Sequence, residues 1–289
     1  MTRCRMSIAT GLRLRPRRSP PSAPLAAASA RYPSAMPADP PKDVDPKLVI
    51  AIDGPASSGK SSVGAALATA LGYRFLDTGL LYRALTWLAL RRGVSPADVP
   101  ALVALAGALR LEPDASGRVE RVLVDDHDVT DEVHAPAVDA RVSEFARIGE
   151  VRAALLPRQR ALAEGGGIVM AGRDIGTVVL PDADLKLYLR ASAEERARRR
   201  AIERGLDTDG EEAAAILASL RRRDDIDSGR EVAPLRVASD AVIVVSDGLE
   251  FDETVRRVVE VARTAIRAQR AAAAGGAAAR LAPTTGTGR

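Results

Sequence analysis

One glycine-rich segment carries the clearest chemistry in the sequence. Residues 54–61 read Gly-Pro-Ala-Ser-Ser-Gly-Lys-Ser and fit the pattern G-x-x-x-x-G-K-[ST] of a phosphate loop. The two glycines let the backbone curl so that successive N–H groups can point at phosphate oxygens. We therefore predict that the segment binds a nucleoside triphosphate. The predicted nucleotide-binding residues are Gly54, Pro55, Ala56, Ser57, Ser58, Gly59, Lys60, Ser61 and Ser62.

The sequence around this loop supports the prediction. Leu48–Asp53 is a short apolar run typical of a buried strand, and Lys60–Leu71 has a helical pattern. A phosphate loop requires a strand before it and a helix after it, whereas an ordinary glycine turn does not. In such a loop the lysine can bridge the β- and γ-phosphates, and the hydroxyl of Ser61 can bind Mg²⁺.

Apolar strands and helices alternate through most of the chain. Further strands are predicted at Tyr73–Leu76, Ile168–Ala171, Leu185–Leu189 and Ala241–Val245. Further helices are predicted at Leu80–Arg91, 96–109, 136–147, 150–164, 192–204, 210–223 and 250–269, with Pro157 expected to kink or restart the helix at 150–164. This alternation predicts an α/β fold in which helices cover both faces of a parallel sheet.

Residues 94–148 interrupt the alternation. Arg118–Val124 alternates apolar and polar residues between the polar turns Asp114–Gly117 and Asp125–Asp126. This pattern predicts a small antiparallel hairpin. We therefore expect an inserted subdomain within a domain that spans 47–270.

The excess of basic over acidic residues lies near the ends of the chain, whose net charge is +4. Residues 1–46 are rich in Arg, Ala, Ser and Pro and have no acid before Asp39, and 271–289 are of low complexity. Both segments are predicted to be disordered. The first resembles an organellar leader, but a start codon placed too early, with Met36 as the true start, is the favoured interpretation. Because a nucleic-acid footprint should lie on a folded face, we predict no general nucleic-acid binding.

The composition excludes several classes of site. The single cysteine, Cys4, leaves no intrachain disulfide, and two histidines give no support for a zinc site or a Ser-His-Asp triad. No apolar stretch approaches the length of a membrane span. The chain contains no Asn, so it lacks the N-K-x-D motif with which GTPases read their base.

Further motifs follow the phosphate loop in a distinctive order. They are Ile-Asp-Gly-Pro at 52–55, Leu-Asp-Thr-Gly at 76–79 with Tyr82-Arg83, Gly-Arg-Asp-Ile-Gly-Thr-Val-Val at 172–179, Pro-Asp-Ala at 181–183, Glu-Glu-Arg-Ala-Arg-Arg-Arg at 194–200, Arg-Asp-Asp at 223–225 and Val-Ala-Pro-Leu at 232–235. With these motifs the sequence resembles bacterial cytidylate (CMP) kinase over nearly all of 47–265. The resemblance implies a three-layer P-loop kinase with an inserted nucleoside-monophosphate-binding subdomain and a helical lid at about 192–232.

The resemblance assigns three groups of residues to the acceptor, CMP or dCMP. The phosphate-binding group is Thr78, Arg83 and Arg173. The cytosine-reading group is Ser143, Arg152 and Asp174. The group that serves the sugar and the transferring phosphate is Arg223, Asp227 and Arg230, and the charge-dense segment 224–231 is predicted to be a loop. Taken without the family, Thr78 could equally be a helix cap and most of the others solvated surface residues.

The assigned residue types suit this chemistry. Arginine binds a dianionic phosphate through paired, charge-assisted hydrogen bonds. A carboxylate can accept the exocyclic amine of cytosine, whereas uracil presents a carbonyl there. The run Arg196–Arg200 resembles the lid over ATP, and Arg196, Arg199 or Arg200 could approach the γ-phosphate. The predicted catalytic set is Lys60, Arg83, Arg173, Arg199, Arg223 and Arg230.

Four positions depart from the family pattern. Ala171 stands where the family usually has an acid, which bears on the Mg²⁺ site, and His134 stands where an arginine is expected. Ser57 replaces a glycine seen in some relatives. Pro157, if it kinks its helix, would shift Arg152 and weaken base selectivity.

The sequence therefore predicts a cytoplasmic, monomeric ATP:CMP phosphotransferase that uses Mg²⁺ and forms no covalent intermediate. Its predicted partners are the small molecules ATP and CMP or dCMP. One alternative is a P-loop kinase with another acceptor, such as UMP or a small metabolite. A second alternative is a nucleotide-binding regulatory or RNA-associated protein whose basic tail binds RNA.

Overall fold

Residues 47–114 and 118–280 form the part of the chain that this computed structural model describes. The strands are β1 Val49–Asp53, β2 Arg74–Asp77, β3 Leu109–Pro113, β4 Val119–Val124, β5 His127–Asp128, β6 Ile168–Gly172, β7 Leu185–Arg190 and β8 Val242–Val245. The helices are α1 Lys60–Leu71, α2 Gly79–Arg92, α3 Val99–Ala106, α4 Pro136–Ala146, α5 Gly149–Ala163, α6 Ala193–Glu203, α7 Glu211–Ser228 and α8 Phe251–Arg280. The predictions for 1–46, 115–117 and 281–289 fall outside the described residues.

The strands form one sheet in the order β3-β4-β2-β6-β1-β7-β8, with β5 paired to β4. All neighbours from β4 to β8 run parallel, while β3 and β5 are antiparallel to β4. The predicted α/β fold with a parallel central sheet is confirmed. In this register Asp53 lies opposite Gly172, and Asp77 lies opposite Ala171. The carboxyl ends of β1, β2 and β6 therefore meet at one edge, where open parallel sheets bind ligands.

Two apolar layers cover the sheet. On one face α1 and α8 pack against β1 and β7, and on the other face α5 and a short π-helical turn, Ile175–Val179, cover β2 and β6. The first layer is tight, since a Cβ atom added at Gly64 would lie 2.6 Å from the ring of Phe75. Among the described residues, no helix combines the length and apolar character needed to cross a membrane.

The interrupting segment contains the predicted antiparallel strands. β3, β4 and β5 form a small antiparallel unit, and α2 to α5 enclose a second core around Phe145. The unit also extends the central sheet, because Val119 of β4 pairs with Leu76 of β2. The helix predicted at 96–109 is shorter than expected, since α3 ends at Ala106 and β3 begins at Leu109.

Two helices run further than the sequence suggested. We interpreted 224–231 as a loop because of its dense charge, but α7 continues to Ser228. Three charged residues of this segment are paired rather than solvated, since Asp224 binds Arg196 at 2.6 Å and Asp227 binds both Arg230 and, at 2.9 Å, Arg173. α8 continues to Arg280, so 271–280 are helical rather than irregular tail, consistent with the high helix propensity of alanine.

Helix α5 continues through Pro157. The prediction that the helix might restart at this proline is therefore wrong. The next residue, Arg158, donates to the carbonyl oxygens of Leu109 and, at 3.1 Å, of Gly107. These bonds tie the middle of the helix to the start of β3. Tertiary contacts of this kind can compensate for the hydrogen bond that a proline removes.

Candidate active site

A single cleft of about 320 Å³ opens at the edge where β1, β2 and β6 end. Its volume lies at the lower end of the range for small-molecule sites. All predicted site residues line it except Gly54 and Pro55, which are buried beside it in the chain. Arg196 and Arg200, which we named with Arg199 as candidates to approach the γ-phosphate, also line it. The lining residues not assigned from the sequence are Asp77, Gly79, Tyr82, Val142, Ala146, Gly172 and Glu203.

The phosphate loop connects β1 to α1 through backbone conformations that favour glycine. A Cβ atom at Gly54 would collide with the carbonyl oxygen of Leu189, and Gly59 has a φ of 90°. Ser57 adopts a φ of 57°, a left-handed conformation that is uncommon for a residue with a side chain. Ser57, which replaces a glycine seen in some relatives, therefore occupies a position where glycine would be unstrained.

Lys60 closes the loop on itself. Its Nζ atom donates to the carbonyl oxygen of Pro55 at 2.6 Å and to Oγ of Ser58 at 3.3 Å. Burial, reinforced by the charge of Arg173, holds the pKa of Lys60 well below its ordinary value of 10.5. An anion bound in the loop would raise the pKa of Lys60 again, because its negative charge favours the charged ammonium.

The start of α2 contributes two side chains beside the loop. Oδ2 of Asp77 accepts a 2.5 Å hydrogen bond from Oγ of Ser61, and its Oδ1 accepts from the backbone N–H of Gly79 at 2.8 Å. Thr78 is buried and donates its hydroxyl to the carbonyl oxygen of Ala171 at 2.9 Å, so its side chain is not a helix cap. Asp77 was missed because its proximity to Ser61 arises only in the folded sheet.

Among the described residues, no group of three or more His, Cys, Asp or Glu side chains could enclose a metal ion. Ser61 and Asp77 nevertheless place two oxygen ligands together in the cleft. Oxygen ligands suit Mg²⁺, which usually takes only one or two protein groups and completes its shell with phosphates and water. The residues present therefore fit a metal ion that arrives with a nucleotide.

Arginines from three helices converge on one carboxylate. Asp139 of α4 binds Arg83 of α2 at 2.5 Å, also binds Arg200 of α6, and lies 3.6 Å from Arg223 of α7. Burial would raise the pKa of Asp139, but the three guanidinium groups outweigh it and the net pKa is lowered. No sequence motif pointed to Asp139, because its partners are remote along the chain.

A second carboxylate, Asp227 of α7, binds two further arginines. Its Oδ2 accepts from Nε of Arg173 at 2.9 Å, and its Oδ1 accepts from Arg230. Asp227 and Arg230 are both buried. The residues assigned to the acceptor phosphate and sugar are therefore brought together, as an arginine-rich wall of the cleft.

The residues assigned to the base form a buried polar pair. Arg152 donates to Oδ2 of Asp174 at 2.5 Å and to the carbonyl oxygen of Ala146 at 3.0 Å. Its guanidinium lies 5.1 Å from the ring centroid of Tyr82. Ser143 also lines the cleft and is buried. The continuous α5 keeps Arg152 in the cleft despite Pro157.

Asp53 supports the segment that carries Arg173 and Asp174. Its two carboxylate oxygens accept the backbone N–H groups of Ile175 and Gly176, each at 2.7 Å. Burial raises the pKa of Asp53 to about 6, against the effect of these two amides. The last residue of β1 thus connects the phosphate loop to the segment after β6.

Helix α6, which we predicted to be part of a lid, directs its arginines toward different partners. Arg199, the arginine of this run that we placed in the predicted catalytic set, lines the cleft but bonds to Glu195, to Ser246 and to the carbonyl oxygen of Leu249. Arg200 donates instead to Oγ of Ser57 in the phosphate loop at 3.1 Å. Adjacent helix residues point about 100° apart, so one position along the helix changes the partner.

The third arginine, Arg196, is buried against the loop. It donates to the carbonyl oxygen of Ala56 at 2.8 Å and to Asp224 at 2.6 Å. Arg196 and Arg200 are separated by one helical turn and both contact the phosphate loop.

Comparison with known proteins agrees with this arrangement. The family model described as "Cytidylate kinase" matches residues 50–264. A cytidylate kinase of Geobacillus thermodenitrificans (strain NG80-2) is 47% identical over 218 residues, which cover 74% of this chain and 96% of that protein. A cytidylate kinase of Rhodococcus opacus (strain B4) is 46% identical over 215 residues, with coverages of 74% and 94%. With this cleft and these relatives, the chain belongs to the cytidylate kinase family.

Proposed function

We propose that this protein transfers the γ-phosphoryl group of ATP to CMP, producing ADP and CDP. The observation that carries the proposal is that one cleft contains both a phosphate loop and a separate wall of arginines. A protein that only binds or hydrolyses a triphosphate needs the first feature but not the second. Two phosphate-binding regions in one cleft suit direct transfer between two phosphorylated molecules.

The loop is the proposed donor site. Its backbone N–H groups and Lys60 would hold the β- and γ-phosphates of ATP, with the N-terminus of α1 adding positive charge. Ser61 and Asp77 would hold Mg²⁺, which neutralises charge on the phosphate oxygens when bound. Asp77 lies opposite Ala171 across the strand pair, so it can supply the carboxylate that position 171 lacks.

The arginine wall is the proposed acceptor site. Thr78, Arg83 and Arg173 would bind the CMP phosphate, while Arg223 and Arg230 serve the sugar side and the transferring group. Asp227 would accept a hydrogen bond from a ribose hydroxyl. These assignments are supported by the convergence of the side chains on the cleft.

The buried pair Arg152 and Asp174, together with Ser143, is the proposed base reader. Asp174 would accept the exocyclic amine of cytosine, and Arg152 and Ser143 would donate to its ring acceptors. Uracil would leave buried polar groups unpaired, which is how such sites reject a wrong base.

The reaction needs no covalent intermediate and no general base. A non-bridging oxygen of the CMP phosphate, already ionised near neutral pH, attacks the γ-phosphorus as its bond to the β–γ bridging oxygen breaks. Positive side chains then stabilise the charge on the transferring group. We propose Arg200 rather than Arg199 for the lid contribution, since Arg200 contacts the loop.

We further propose that residues 94–148 form the CMP-binding insert and 192–232 the lid. The protein would act in the cytoplasm, where its substrates are made and used. It would act as a monomer, because one chain supplies every proposed group. Family membership does not favour the regulatory or RNA-associated alternative.

A panel of acceptors tests the proposal. Purified protein is incubated with ATP, Mg²⁺ and CMP, dCMP, UMP or AMP, and nucleoside diphosphate products are separated and quantified, with ATP alone as the control for hydrolysis. We expect CMP or dCMP to be phosphorylated with the highest kcat/KM. A preference for UMP would contradict the assignment of the base-reading residues. Loss of CMP phosphorylation on deleting residues 1–46 would show that this segment is needed for activity.

A further inference from the structure

Asp139 has no part in the proposed transfer, yet among the described residues it is the carboxylate with the most arginine partners, and all three of those arginines line the cleft. It lies on α4 within the insert, and its arginine partners come from α2, from the lid helix α6 and from α7. Its side chain is 19% exposed, and those of its partners are 17–20% exposed. Four charged groups therefore share a partly dehydrated space.

The charges in this group do not balance. One carboxylate carries a single negative charge, whereas Arg83, Arg200 and Arg223 carry three positive charges. Guanidinium groups held close together repel one another, and burial together with neighbouring arginines lowers the pKa of Arg223 against the effect of Asp139. The surplus of two positive charges matches the charge of a nucleoside monophosphate at neutral pH.

A purely structural role explains these contacts less well. The other ion pairs of the described residues join one carboxylate to no more than two arginines, whether they are buried, as at Asp227, or exposed, as between Glu144 and Arg141. Asp139 instead connects the insert to the lid and to α7 at the cleft, through an arginine that also contacts the phosphate loop at Ser57.

We propose that Asp139 is a positioning residue that gathers Arg83, Arg200 and Arg223 and competes with the acceptor phosphate for them. This inference rests on the proposed function. The carboxylate holds the three side chains at the cleft, and the phosphate of CMP must take over part of their hydrogen bonding. Asp139 thus weakens substrate binding while it improves the placement of the arginines for transfer.

The proposal predicts that Asp139→Asn separates binding from turnover. Without the competing charge, CMP should bind about tenfold more tightly, the scale of one close charge in a partly exposed site. With the arginines no longer gathered, kcat should fall about tenfold. Inorganic phosphate should likewise compete with CMP more strongly in the variant. The measurements are CMP binding by calorimetry at fixed ionic strength and kcat from initial rates.

Glu144→Gln is the matched control, since it removes a carboxylate from the same helix whose arginine partner, Arg141, does not line the cleft. Its CMP affinity and kcat should stay within about twofold of wild type. Weaker or unchanged CMP binding by a folded Asp139→Asn protein would overturn the proposal. Failure of the wild-type protein to phosphorylate CMP would instead overturn the proposed function.

A measurement on the wild-type protein keeps the test decisive if Asp139→Asn does not fold. Carboxyl carbon resonances of Asp and Glu can be followed by NMR during addition of CMP. The Asp139 resonance should shift as its arginines turn to the phosphate, while that of Glu144 should not. An Asp139 resonance that is unmoved by saturating CMP would refute the competition.

Discussion

Replacing Asp174 by asparagine should change which base the enzyme prefers. In the cleft Asp174 is 4% exposed and accepts a 2.5 Å hydrogen bond from Arg152, which is 6% exposed. Asparagine keeps the shape of the side chain but removes its charge and turns one acceptor into a donor. The altered group can no longer accept the amine of cytosine with the same strength, but it can donate to the carbonyl of uracil.

The expected magnitude follows from these contacts. A hydrogen bond to a charged group contributes about 1.5–3 kcal/mol, so kcat/KM for CMP should fall about 30-fold, which corresponds to about 2 kcal/mol. UMP should lose much less, and the CMP/UMP preference should fall by nearly the same factor. Breaking a buried pair also leaves Arg152 uncompensated at a cost of about 3–5 kcal/mol of stability, which for this chain is a lowering of Tm by roughly 10 °C. That loss affects both substrates equally and cancels in the ratio.

The assay is a comparison of kcat/KM for CMP and UMP with wild type and variant, below the melting range of both. Asp128→Asn is the control, because it breaks a 2.8 Å pair with Arg121 outside the cleft lining. The control should leave the CMP/UMP ratio unchanged. An equal loss for both bases in Asp174→Asn would refute the assignment of Asp174 to base reading.

Three further predictions concern other parts of the cleft. Lys60→Ala should lower kcat about 10³-fold with an unchanged circular dichroism spectrum, and near wild-type turnover would exclude Lys60 from the mechanism. Arg200→Ala should lower kcat about 100-fold but Arg199→Ala less than fivefold, and initial rates showing the reverse order would restore Arg199 as the lid residue. The carboxyl carbon of Asp53 should titrate by NMR with a midpoint near 6, and a midpoint near the ordinary value of 3.8 would contradict its burial. Since the folded protein holds this proton more tightly than the unfolded chain, Asp53 contributes stability that is present below about pH 4 and lost as the pH rises through about 6.

The phosphate loop could be predicted without a structure because its signal is local. Eight consecutive residues, with a strand before and a helix after, define the binding surface. The parallel sheet was predictable for a similar reason, since each buried strand is a short apolar run. α1, for example, begins and ends where the pattern placed it, at Lys60 and Leu71.

The rest of the cleft depends on contacts between distant segments. Asp139 meets Arg83 across 56 positions and Arg200 across 61, and no periodicity in the sequence reports such a pairing. Only the family resemblance pointed to Arg152 and Asp174, which the fold brings together from 22 positions apart. The prediction of a loop at 224–231 was wrong because it relied on charge density alone. A sequence does not show whether charged residues are paired or solvated.

The central claim is that the phosphate loop and the arginine wall hold two nucleotides for direct transfer. A crystal structure with CMP and a non-hydrolysable ATP analogue tests it most directly. The account predicts the β- and γ-phosphates within residues 54–61 and the CMP phosphate bound by Arg83 and Arg173, aligned with the γ-phosphorus. A CMP phosphate bound elsewhere, with those two arginines turned away from the γ-phosphate, would contradict it.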